Sequence, residues 1–128
     1  MNDFASLSRE LDALEAVQVA LASIAGRTDD ARRHDLIRLR RELSLQIARV
    51  GTVAEPIFGT AAPGLNQDYR NKFSRMRSAA ALHQADWPAV RLGENVKQYQ
   101  ASALAVREAN KLFVTWVRNA LADLQQGR

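Results

Sequence analysis

The sequence predicts an all-α protein: an elongated, up-and-down antiparallel bundle of three to four helices with a long C-terminal helix. Three observations predict it. Apolar side chains return at alternating steps of three and four residues over most of the chain, the interval that gathers them on one face of a helix. Leucine and alanine, both strong helix formers, are abundant, while the 128 residues include only six glycines and three prolines. Three of those glycines and two of the prolines fall within residues 51–67, so the segments on either side are left almost uninterrupted.

The first helix is predicted over about residues 3–25. Phe4, Leu7, Leu11, Leu14, Gln18, Leu21 and Ala25 form its seam, and Glu10, Asp12 and Glu15 lie outside it. Asp3 or Ser6 is a candidate N-cap, and Gly26 is placed for a left-handed C-terminal cap. Thr28, Asp29 and Asp30 then offer caps for a second helix over about 30–50, with Leu36, Leu39, Leu43, Ile47 and Val50 as its apolar stripe and Gly51 as its stop. The short link between them makes residues 3–50 a helical hairpin. Residues 51–67, GTVAEPIFGTAAPGLNQ, are expected to be an irregular connection. A third helix begins near Asn66 or Gln67, with Tyr69, Phe73, Met76, Ala80 and His83 on one face. ADWP marks a boundary, with Asp86 as a cap and Pro88 in the first turn of a new helix. Gly93 is expected to kink the start of the last helix. Val96, Tyr99, Ala103, Val106, Asn110, Phe113, Val117, Ala120 and Leu124 then keep the three-four rhythm. Residues 1–128 read as one domain, with the C-terminal helices over 68–126.

Composition narrows the function classes. Apolar residues make up 47% of the chain, a globular value. The absence of cysteine excludes disulfides, thiolate metal sites and a cysteine nucleophile. The first 18 residues carry early acids and no apolar run, so no secretory signal is read there, and no stretch approaches the roughly 18 uninterrupted apolar residues of a membrane span. The expectation is a cytoplasmic protein with no membrane partner. Eighteen Lys and Arg against 14 Asp and Glu give a net charge of +4. The excess is uneven: residues 1–25 hold one base and four acids, whereas residues 26–51 hold seven arginines and four acids.

No catalytic constellation is recognisable, and the expectation is a non-enzyme that needs neither metal nor organic cofactor. A metal site in a bundle needs several inward carboxylates and histidines at helical spacing. His34 and His83 are the two histidines. Only Asp86, near His83, has ligand-like spacing. His34, in RHDLIRLRREL, suggests a second reading as a phosphotransfer hairpin, though no proline follows it as in sensor-kinase dimerisation helices. Arg70, Lys72, Arg75 and Arg77, interleaved with Tyr69 and Phe73, are a candidate anion-binding surface, and a nucleic-acid-binding bundle is the corresponding alternative. Trp87 and Trp116 are read as packing residues, with Trp116 able to flank a partner groove.

Asn110 is the anomaly. It places an amide in an otherwise apolar seam, where an unpaired polar group costs stability. One explanation is a closed polar layer shared with Gln18 that fixes register. The other is a groove not covered by the chain itself, in which Val106, Asn110, Phe113 and Val117 meet an amphipathic partner helix or a second copy of the protein.

The start LSRELDALEAVQVALAS, the hairpin to RHDLIRLRRELSLQI and the late NKLFVTWVRNALADL resemble FlgN-type flagellar export chaperones across most of the chain. That resemblance implies a small bacterial cytoplasmic helical protein that binds the helical end of a secreted subunit. The basic pI of about 10.1 departs from the acidic character common among secretion chaperones.

Overall fold

The structure, a computed structural model, describes residues 3–127. Helices α1 (Asp3–Ile24), α2 (Arg32–Gly59), α3 (Pro63–Asp86) and α4 (Val96–Gln125) account for nearly all of them, with one 3₁₀ turn at Ala89–Arg91. The backbones of α1 and α2, α2 and α3, α3 and α4, and α4 and α1 lie close together, and side chains such as Phe58 and Trp116 join α2 to α4 across the bundle. The result is an all-α, up-and-down four-helix bundle with a long C-terminal helix, as expected for short connections between long amphipathic segments.

The main departure from the sequence reading is at 51–67. That segment is not an irregular connection. Helix α2 runs through Gly51 and Pro56 to Gly59, and α3 begins at Pro63. Packing decides this over local propensity. The stripe of Leu36, Leu39, Leu43, Ile47 and Val50 continues in the same rhythm through Ala54, Ile57 and Phe58, all buried. Gly51 does not stop the helix; it permits a close approach. A Cβ built there would lie 3.1 Å from Cζ of Phe73, so the missing side chain lets α3 rest its aromatic ring against α2. Pro56 sits on the exposed side, one turn from the helix end, where a proline forfeits a single backbone bond. The Thr60 hydroxyl donates to its carbonyl at 2.9 Å. Pro63 then occupies the first turn of α3, where no N–H is needed.

The first turn also differs from expectation. Among the described residues only Gly93, Asn95 and Gly127 have positive φ, so Gly26 is not a left-handed cap. Ala31 is the N-cap of α2 and makes no side-chain capping bond. The turn is held by charge instead. Arg27 donates to Asp29 at 2.6 Å and to Asp35 at 2.7 Å. Those bonds hold the Asp29 carboxyl down at about 2. At the other connection Trp87 is buried as expected, but Pro88 precedes the 3₁₀ turn rather than opening α4. Asp86 is the last residue of α3, and Gly93, with φ of 99°, turns the chain before α4 instead of kinking it.

Two apolar clusters fill the bundle. The larger contains Leu7, Leu11, Leu14, Val50, Phe58 and Val117, among others. The smaller, at the end closed by the 3₁₀ turn, contains Ile24, Leu36, Leu39, Trp87, Leu92 and Tyr99. Polar contacts lock the seams. Gln46, buried on α2, donates to the Glu10 backbone carbonyl at 3.0 Å and its carboxylate at 2.8 Å. Arg118 on α4 reaches Asp12 and Glu15 of α1, both at 2.7 Å.

The helical course of 51–59 has a direct test. Gly59 is helical and a Cβ there meets nothing within 4 Å. Gly59→Ala is therefore expected to raise stability by about 0.4–1 kcal/mol in urea unfolding. Gly51→Leu, whose side chain collides with Phe73, is expected to lower it. The opposite order would restore the loop reading.

Candidate functional site

The seam of α4 is internal. Asn110 is 3% exposed, Phe113 1% and Val117 0%, and Val106 is also buried. Four residues expected to meet a partner helix thus face the chain's own core. Phe113 packs edge-on against Phe73 at 5.8 Å and lies 6.2 Å from Tyr69. Tyr69 stacks on Phe58 at 4.5 Å, and Phe58 touches Trp116 at 5.7 Å. These five rings come from α2, α3 and α4 and form one aromatic cluster. The polar layer expected between Asn110 and Gln18 does not form, since the Asn110 amide oxygen is buried without a hydrogen-bond partner.

An open groove lies one stripe further around α4. It runs between α3 and α4 and encloses about 510 Å³. Glu108, Leu112, Thr115 and Asn119, again at steps of four and three, supply one wall, with Trp116 beside them. Phe113 reaches it from the core side. Leu112 is 70% exposed and is the large apolar side chain on the open side of this groove. Trp116 is half-buried and rests on Phe58 while lining the groove. Lys72 and Arg75 of α3 and Lys111 of α4 also line it, so three cations and the single carboxylate of Glu108 border an apolar floor.

This placement divides the basic cluster on α3. Lys72 and Arg75 face the α3–α4 groove, whereas Arg77 lies 5.5 Å over the Phe73 ring on the α2 side of the helix. Arg70 is exposed. The four do not converge on one phosphate-sized site. His34 is exposed on the first turn of α2. Among the described residues no three metal-ligating side chains come together.

His83 is half-buried on α3, with Nδ1 2.6 Å from the Ser102 hydroxyl of α4. Burial, reinforced by the Arg40 guanidinium and opposed by Asp86, pushes its pKa down to about 4. The folded protein therefore keeps this imidazole neutral where an unfolded chain would protonate it near 6.5. Between those values the unfolded state binds more protons, so stability falls as pH drops from about 6.5 toward 4. Thermal melts across that range are expected to show the fall. His83→Gln is expected to flatten it; an unchanged slope would place the titrating group elsewhere.

Two substitutions test the sealed seam. Phe113→Ala is expected to cost about 3–5 kcal/mol in urea unfolding, because it opens a cavity inside the aromatic cluster. Asn110→Leu is expected to be neutral or stabilising by up to about 1–2 kcal/mol, since it removes an unpaired buried carbonyl. A large loss for Asn110→Leu would reveal a bond made by the amide in solution.

Comparison with protein-family profiles, with curated proteins and with solved structures finds no match to this chain.

Proposed function

We propose that the protein is a non-enzymatic binding module that takes an amphipathic partner helix in the groove between α3 and α4. The observation that carries this is Leu112. It stands 70% exposed beside half-buried Trp116 in a trough wide enough for apolar side chains. A helix docks by placing residues at i, i+3, i+4 and i+7 into such a trough. Lys72, Arg75 and Lys111 along its edges choose the partner's flanks, which carry aspartate or glutamate. The buried seam of Val106, Asn110, Phe113 and Val117 supports this groove from beneath and does not itself dock. The resemblance to FlgN-type flagellar export chaperones belongs to the same proposal: there the partner would be the terminal helix of a secreted subunit, met in the cytoplasm before export.

The test uses a fluorescent amphipathic peptide with leucines at the four docking positions and glutamates on both flanks, alongside a single-stranded oligonucleotide of similar charge. The peptide is expected to bind, to lose at least tenfold in affinity to Leu112→Asp, and to keep much of its affinity in 0.5 M salt. Circular dichroism checks that the variant remains helical. Peptide binding that ignores Leu112→Asp refutes the groove. Tight oligonucleotide binding that collapses in salt would favour the nucleic-acid reading. A self-association abolished by Leu112→Asp would make the occupant a second copy of the chain.

A further inference from the structure

A second feature is a small, partly open pocket between the helices, at the junction of the two apolar clusters. Leu36 of the smaller cluster and Leu43 and Val106 of the larger one border a cavity of about 40 Å³. A water needs roughly 10–15 Å³ measured this way, so the space holds two or three waters or one compact polyatomic group. Its polar lining is uneven in charge. Arg40 of α2 and Arg107 of α4 contribute guanidinium groups, and Gln18, His83, Gln84 and Tyr99 contribute neutral polar ones. No carboxylate lines it.

Arg40 is the residue that demands an explanation. It sits one turn from Leu36 and Leu43 on the inner side of α2, and its Nη2 is buried without a hydrogen-bond partner. Its side chain lies beside Tyr99, a neutral group that lines the same space. Arg27 is paired with Asp29 and Asp35 and Arg118 with Asp12 and Glu15, while Arg32 and Arg33 donate to the backbone carbonyls of Arg27 and Leu92. A guanidinium taken out of water is ordinarily matched by a carboxylate or another anion. Here the protein supplies none. The surroundings are donor-rich as well. The Tyr99 hydroxyl and the amides of Gln18 and Gln84, each able to donate, lie in the same wall. Water would fill the volume but would leave the charge of Arg40 uncompensated.

We infer that the cavity between the two core clusters is a binding site for one compact monovalent anion, of the size of chloride, bromide or formate, held by Arg40 with Tyr99 and Gln18. The site is separate from the α3–α4 groove and does not depend on what occupies that groove. Bound anion bridges α1, α2 and α4 at the level where the apolar core is interrupted, so occupancy tightens the bundle. It also favours the protonated form of His83, because the anion offsets the field of Arg40 on that ring.

Thermal unfolding of the full chain at pH 7, at constant ionic strength, tests the site. Sodium fluoride, whose anion is strongly hydrated, is replaced stepwise by sodium bromide, chloride or formate. The melting temperature is expected to rise by a few degrees and to saturate, as for binding to the folded state. Arg40→Met is expected to abolish the saturable rise, while Arg41→Gln, at an exposed neighbour, keeps it. A response that never saturates and is shared by Arg40→Met is a general salt effect and overturns the inference. Crystals of the unaltered protein soaked in bromide give an answer that does not rely on any variant folding. Anomalous density beside Arg40 and Tyr99 is expected; its absence, with only water in the cavity, overturns the inference.

Discussion

The bundle depends on the aromatic cluster at the junction of α2 and α3. Phe58 near the end of α2 and Tyr69 near the start of α3 stack at 4.5 Å, on either side of a connection only three residues long. Offset or stacked rings at such distances add to the large area each buries. The stack turns the chain from one hairpin into the next. Phe73, Phe113 and Trp116 extend it onto α4. Without it nothing would compel α2 to stay helical through a glycine and a proline, because local preference alone argues against that. With it, the last two turns of α2 have three deeply buried residues to hold them, Ala54, Ile57 and Phe58.

The legibility of the fold follows the same logic. Where the apolar rhythm is strong and unbroken, the sequence is sufficient: Leu7, Leu11, Leu14 and Gln18 of α1 and Tyr99, Val106, Asn110, Phe113, Val117 and Ala120 of α4 are buried as their spacing implies, with Ala103 partly buried and Val96 exposed. The reading failed where a residue type carried two meanings. Gly51 reads as a helix stop and Pro56 as a breaker, yet Gly51 serves a close contact with a ring that arrives from 22 positions further along the chain. That partner cannot be found from local pattern. The continuing rhythm of Val50, Ala54 and Ile57 was the available signal, and it was outweighed by the punctuation. Caps were misread for a similar reason. Asp29 is suited to capping, but its main partner is the Arg27 guanidinium, which bonds both of its carboxylate oxygens.

The candidate groove was half legible. The burial of Phe113 and the anomaly of Asn110 could both be sensed from the α4 seam, but the accessible stripe lies beside it. Leu112 and Trp116 each lie one residue from a seam position, Phe113 and Val117, and the angular position of α3 determines which flanking stripe is covered. The interior arginine was less legible still. Arg40 belongs to a run of five arginines between 32 and 41, and a run of that kind spreads around a helix. Its partial burial places it beside Tyr99 of a distant helix, a neighbour the local pattern cannot reveal.

The closed ring of neighbours has a topological consequence. Backbone neighbours run round the ring α1, α2, α3, α4, while the shared core and the Phe58–Trp116 contact tie α2 to α4 across it. Two seams, α1–α2 and α3–α4, are also hairpins closed by turns, which limits how far their helices can separate. The α2–α3 seam is short of such freedom too, since the Phe58–Tyr69 stack sits at its turn. The α1–α4 seam has no turn of its own. It is fastened by side chains alone, with Arg118 clasping Asp12 and Glu15 at the surface. Beneath that surface pair, Leu7 and Leu11 of α1 share the larger apolar cluster with Val117 and Leu121 of α4, so added salt loosens the exposed clasp and leaves the apolar hold in place.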